Sequence, residues 1–175
     1  MIKKGFLFSI LLFLIQGCST MKLDDFTDKN PEFKLEDYFL GKTSASGLFI
    51  DRFGKVKRQF TVDMEGIQEG DIFILNETFL YDNGEEEFRR WEITKTGEKT
   101  YEGQSSDIIG VAKGERSGNA INWHYTLKLK YGDGILNVQF DDWLIMQDEK
   151  NVFNKATMKK FGIRLGDVYL FFRKL

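Results

Sequence analysis

The sequence predicts an all-β protein, an antiparallel up-and-down meander of about ten strands that closes into a barrel and is entered through one short helical turn. Three observations predict it. From residue 43 onward apolar and polar residues alternate with a period of two, and helical periodicity is nearly absent. Short turns rich in glycine, asparagine and aspartate interrupt the alternation. Strands joined in order by such turns run antiparallel, and a meander this long loses its two open edges by closing. A two-sheet sandwich is the rival closure.

Leu35 to Leu40 reads as the helical turn that leads into the first strand. The strands follow as 46–52, 55–65, 71–81, 86–95, 99–104, 107–116, 119–131, 134–147, 151–160 and 163–173, separated by signals such as Phe53-Gly54, Asp82-Asn83-Gly84, Ser117-Gly118-Asn119 and Phe161-Gly162. In the second strand Val56, Phe60, Val62 and Met64 alternate with Lys57, Gln59, Thr61, Asp63 and Glu65, one dry face and one wet. That wet face argues against a transmembrane barrel, whose outer band is continuously apolar. Eight to ten strands enclose room for one small ligand.

Ahead of the domain, Lys3 and Lys4 precede an apolar run, Phe6 to Ile15, too short to span a bilayer, and 1–17 reads as an export signal. Ile15-Gln16-Gly17-Cys18 resembles the lipobox of bacterial lipoproteins. The resemblance implies that Cys18 becomes an acylated N-terminus, anchored to membrane lipid in the cell envelope. With Ser19 following, it implies the inner leaflet of the outer membrane, facing the periplasm. Residues 18–34 then read as lipid anchor and flexible tether, reaching roughly 50 Å, and 35–175 as a single β-barrel domain. Removing 17 of the 175 residues leaves 158, enough for one core without disulfides.

Composition excludes several functions. The net charge of −2 becomes −4 without Lys3 and Lys4, and the basic residues are interspersed with acidic ones, so no face suits nucleic acid. One histidine and one cysteine do not make a zinc or iron site, and no cofactor is expected. The run Asp82 to Glu87 could offer oxygens to calcium but reads better as a solvated hairpin turn. His124 falls on the polar stripe of its strand, and no serine stands in a Gly-x-Ser-x-Gly context, so no catalytic residue is assigned.

The stretches FIDRFGKVKRQFTVDMEG (49–66), FLYDNGE (79–85), GNAINWHYTL (118–127) and FDDWLIMQDEKNVFNKATMKKFGIRLGDV (140–168) resemble an uncharacterised family of bacterial lipoproteins known only as a domain of unknown function. The resemblance covers about residues 33–173. It implies a lipocalin-like barrel, an envelope location and no established activity. Bacterial lipocalins, which bind fatty acids or lysophospholipids, are a partial match, since Gly41-Lys42-Thr43 stands where they carry Gly-x-Trp.

The candidate site rests on charged residues set in apolar stripes. Asp141 and Asp142 are adjacent in a strand, so they point to opposite faces and cannot act on one substrate. Asp142 falls among Val138, Phe140, Leu144 and Met146 and needs a partner. Arg58 shares the stripe of Phe60 and Val62, and Arg89 that of Trp91 and Ile93. Either arginine can pair with Asp142 or Glu77 in the wall, hold the anionic head of a ligand by its fork, or lie exposed at the rim. The expected ligand-binding set is Arg58, Arg89, Glu77, Trp91, Tyr125 and Asp142. The leading function is a non-enzymatic envelope lipoprotein whose barrel binds a fatty acid or other amphipathic lipid. The alternative is a filled barrel that docks on an envelope protein partner through Lys128, Lys130 and His124, and a lipid-modifying enzyme stands third.

Overall fold

The computed structural model describes residues 21–132 and 134–175. Cys18 and the expected signal segment lie outside them. The described residues form ten strands: β1 (Gly41–Asp51), β2 (Val56–Glu69), β3 (Ile72–Tyr81), β4 (Glu86–Lys95), β5 (Thr100–Gln104), β6 (Ala112–Ser117), β7 (Ala120–Tyr131), β8 (Gly134–Met146), β9 (Asn151–Lys160) and β10 (Ile163–Lys174). A 3-10 turn, Leu23–Phe26, and one helix, α1 (Leu35–Phe39), precede them. All neighbours pair antiparallel, and β1 meets β10 in register from Thr43↔Lys174 to Asp51↔Gly166, so the meander is a closed barrel. Among the described residues no helix is long and apolar enough to cross a membrane.

The two ends of the barrel differ. At the foot, where β2–β3, β4–β5, β6–β7 and β8–β9 turn, α1 fills the opening with Leu35, Tyr38 and Phe39, all buried. Phe39 meets Phe172 edge to face, the Tyr38 hydroxyl donates to the Lys150 carbonyl, and Glu36 accepts from Tyr101 and Lys95. A five-residue helix is not stable alone; here it is held as a hydrophobic plug. Gly66 permits the seat, since a Cβ there would overlap the Phe39 carbonyl oxygen. At the opposite end, the mouth, the β1–β2, β3–β4, β7–β8 and β9–β10 hairpins stand around the opening.

Three local expectations differ from the structure. β1 begins at Gly41 rather than 46, because its first residues, GKTSA, are too small and polar to register as a stripe although Thr43 and Ala45 are buried. Residues 107–111 do not belong to a strand: they form part of the connection into β6, running beside β7 with Ile109 donating to the Thr126 carbonyl and Lys128 to the Asp107 carbonyl. The expected flexible tether is folded from 21 to 34. Phe33 is fully buried, its amide donates to Gly118, and Glu32 pairs with the buried Arg116. Phe26 lies 5.7 Å from Trp143, which is why a tryptophan on the outer stripe of β8 is buried. Too few apolar residues fall in this segment to signal packing, but the ones present are placed on exposed apolar surface of the wall.

Candidate ligand-binding site

Inward-facing side chains fill the foot half of the barrel, while the mouth half holds a smaller buried cluster of Leu127, Val138, Phe140, Ala156 and Met158 on one side and half-buried side chains around the rest. Val62, Met64, Phe73, Leu75, Ile93, Ile121, Leu144, Met146 and Phe172 are buried around the plug. Nearer the mouth, Phe49, Phe60, Phe79, Tyr81, Leu129, Leu136, Val168 and Leu170 are only half-buried although their strand register turns them inward. The wall there is apolar and keeps surface toward the opening.

A polar belt crosses the barrel between the halves. Glu77 on β3 and Arg89 on β4 are cross-strand partners. The Arg89 guanidinium lies 3.7 Å from Glu77, donates to Asp107 at 2.8 Å and reaches Glu87 at 3.3 Å. Trp91, two residues along the same stripe, donates its indole N–H to Glu77 at 3.3 Å. On the facing wall the Tyr125 hydroxyl donates to Asp142 Oδ2 at 2.9 Å, and the Asn154 amide donates to the other oxygen. Aromatic contacts join the two halves of the belt: Trp91 meets Tyr125 edge to face at 5.7 Å, and Tyr125 stacks on Phe140 at 5.0 Å.

Desolvation dominates the electrostatics of this belt. Burial pushes the Glu77 carboxyl up to about 7, against the pull of Arg89 and the Trp91 hydrogen bond. Burial also raises Asp142, opposed by the amide of Asn154 and the hydroxyl of Tyr125. Burial holds the Tyr125 hydroxyl well above its ordinary value, and the nearby Asp142 carboxylate adds to it. Arg89 is raised as well, but by its partners: burial disfavours its charge, and Glu77 and Asp107 more than offset that.

Five of the six expected residues therefore meet in one place: Glu77, Arg89, Trp91, Tyr125 and Asp142. The arginine partner expected for Asp142 is absent from its shell: its oxygens are taken by a tyrosine and an asparagine, and Arg89 turns to Glu77 and Asp107. Sequence reasoning missed Asp107 and Asn154. Asn154 could have been found, as the polar side chain set between Val152, Ala156 and Met158 on the inner stripe of β9. Asp107 could not, since its chain position looked like strand.

Arg58 stands apart at the mouth. Its guanidinium lies 4.0 Å over the Tyr81 ring and pairs with Glu85 at 2.9 Å, while its Nε is buried without a partner among the described residues. The pair to Glu85 belongs to the β3–β4 hairpin, where Asn83 also bonds Glu85; the acidic run is a turn anchored to Arg58. His124 is exposed on the outer wall, 3.9 Å from Asp141.

The outer wall carries a second concavity, a cleft of about 870 Å³ across β9, β10, β1, β2 and β3, lined mainly by apolar side chains such as Leu48, Ile50, Leu80, Phe153 and Phe171.

The barrel is similar to that of an S-type phycobiliprotein lyase, CPES, from Guillardia theta, with a TM-score of 0.57 and 8% sequence identity over 80% of this chain and 90% of that one. At that identity the likeness is one of fold, and the form is lipocalin-like. No curated protein matches the sequence. A family model described as "Protein of unknown function (DUF3833)" matches residues 12–174.

Proposed function

This chain belongs to the family described as Protein of unknown function (DUF3833), and from that premise we propose that it is an envelope lipoprotein, anchored through acylated Cys18, whose barrel binds the acyl chain of a fatty acid or other amphipathic lipid. The observation that carries the reading is the contrast within the barrel: a plugged, filled foot, and a mouth half where, beside the buried cluster of Leu127, Val138 and Met158, inward-facing Phe49, Phe60, Phe79 and Leu170 remain half-buried. Apolar surface left facing an opening on one side only fits a chain-like guest inserted from that side. Arg58, with a buried Nε that has no partner among the described residues, is the group placed to take an anionic head at the entrance. Arg89 is not, because carboxylates already surround it.

The polar belt forms the floor of such a site. Glu77, raised to about 7, and Tyr125 can meet a polar terminus of the guest without presenting a full charge to it. None of these groups converges as nucleophile and base, so the site is proposed as one for binding rather than turnover.

Native mass spectrometry with lipid extraction, on Ser19 to Leu175 purified gently from a bacterial host, tests the proposal. A defined co-purifying amphipathic lipid is the expected result. A domain that arrives empty and stays empty when offered fatty acids and lysophospholipids overturns it. The outer cleft favours a second reading, a structural lipoprotein that docks an envelope protein through Leu80, Phe153 and Phe171, and an empty barrel would move the case there.

A further inference from the structure

We propose that the mouth of the barrel docks on an anionic lipid bilayer through three adjacent hairpin tips. The barrel order β2, β1, β10, β9, β8, β7 places the β1–β2, β9–β10 and β7–β8 hairpins side by side along one arc of the mouth. Each carries exposed apolar side chains beside basic ones. The first has Phe53, 73% exposed, and Val56 with Arg52 and Lys55; the second has Phe161, 89% exposed, and Ile163 with Lys159 and Lys160; the third has Ile135 with Lys128 and Lys130. The Arg52 guanidinium lies 4.8 Å over the Phe53 ring, and the Lys160 ammonium 4.8 Å over that of Phe161. Among the described residues, Arg52, Lys55, Lys159 and Lys160 form no ion pair.

Phe161 gives an independent reason to look for a partner. It has φ 51° and precedes Gly162 at φ 78°, a turn that favours Asn-Gly or Asp-Gly, and a bulky side chain in that region is strained. The ring is not packed, so neither the turn nor the core accounts for it. An aromatic ring carried at a tip beside an ammonium suits the boundary layer of a bilayer, where the ring sits at headgroup depth and the cation meets phosphates. Separate protrusions engage a fluid surface more readily than a rigid protein face, which would require a continuous complementary patch. The fourth hairpin, with Asp82, Glu85, Glu86 and Glu87, is acidic, so contact is made by the basic arc and the mouth tilts against the surface.

This inference goes beyond the binding of a guest and does not need one. The test uses Ser19 to Leu175, which keeps every described strand, the plug and the packed segment, and thus the whole core. Flotation with vesicles of phosphatidylcholine, alone or mixed with phosphatidylglycerol, should show binding to the anionic vesicles that weakens with added salt. Phe53→Ser with Phe161→Asn should weaken it about tenfold or more, as should Lys55→Glu with Lys160→Glu. Phe153→Ser with Phe171→Ser, on the outer cleft, should leave binding unchanged. Lipid carried inside the barrel, read by mass spectrometry, should be the same in all three variants, which keeps a failure of docking distinct from a failure of guest binding. A wild-type protein that ignores anionic vesicles, tip variants that bind as wild type, loss of binding in the cleft variant instead, or tips that cross-link to an envelope protein while vesicles stay unbound would each overturn the proposal.

Discussion

Tyr125 and Asp142 hold the facing wall of the polar belt together, the hydroxyl donating across β7 and β8 at 2.9 Å to a carboxylate whose other oxygen is taken by Asn154. Replacing Tyr125 with phenylalanine keeps the ring that stacks on Phe140 and removes one of two donors. The loss should be about 1.5–3 kcal/mol, as for a hydrogen bond to a charged group. It should be largest where Asp142 is ionised and shrink as pH falls, because the hydroxyl favours the charged form. Urea unfolding at two pH values checks both parts.

Glu77 makes a second prediction, with a defined sign. Its carboxyl moves from an ordinary 4.5 to about 7 on folding, so between those values the folded state holds a proton that the unfolded state has lost. Stability contributed at low pH is therefore given up as pH rises through this window, by up to about 3 kcal/mol, and levels off above 7. Glu77→Gln, which retains an acceptor for Trp91, should flatten that fall, and the difference between the two proteins should grow from pH 4.5 to 7. An equal pH slope in both proteins counts against the desolvation account.

The two arginines should behave in opposite ways. Arg89→Met leaves Glu77 and Asp107 uncompensated at the centre of the barrel and should cost about 3–5 kcal/mol. Arg58→Leu breaks a pair whose partners are 39% and 60% exposed and should stay within about 0.5 kcal/mol of wild type. If Arg58 takes the head of a guest, the same change lowers affinity for an anionic lipid about tenfold. Denaturation curves and a fatty-acid displacement titration separate these outcomes.

Gly118 has φ 50°, and a Cβ there would overlap the Phe26 carbonyl oxygen. Gly118→Ala should strain the turn and lift residues 21–34 from the wall while the strands remain paired. Faster hydrogen exchange and proteolysis in that segment, with the rest of the barrel protected, is the expected pattern.

Phe161→Asn should stabilise the protein, by about 1 kcal/mol or 2–4 °C in Tm, because asparagine accepts the left-handed turn and no packing is lost. A fall in Tm would mean that the ring contributes to the fold after all.

Strand order and the inner and outer faces were legible from the alternation because a wall with one dry face imposes a period of two; Leu35 to Leu40 was expected as a helical turn into the first strand, and its seat inside the foot was not. Closure was expected from the cost of two open edges alone and is found, although nothing in either strand marks β1 as the neighbour of β10. Within the site, inward placement of Glu77, Arg89, Trp91, Tyr125 and Asp142 followed from the same stripes. Which of them pair did not follow. Stripe membership fixes a face and not a height or a rotamer, and the choice between Glu77, Asp107 and Asp142 for Arg89 is made by the 105–111 connection, whose course no local pattern declares. The burial of Trp143 under Phe26 was hidden in the same way, by a segment too polar to look like part of a core.

The packed N-terminal segment gives the molecule a direction. Ser19 and Thr20 alone separate Cys18 from the described chain, a reach of about 10 Å, and residues 23–33 run beside the Ser117 to Ala120 turn at the foot. Strands of ten to fourteen residues, inclined in the wall, set the mouth roughly 30 Å farther on. Acyl chains on Cys18 would thus root the closed end, and an upright molecule would open toward whatever lies across the compartment. Foot and mouth would then serve two different surfaces, the first as mooring and the second as landing stage.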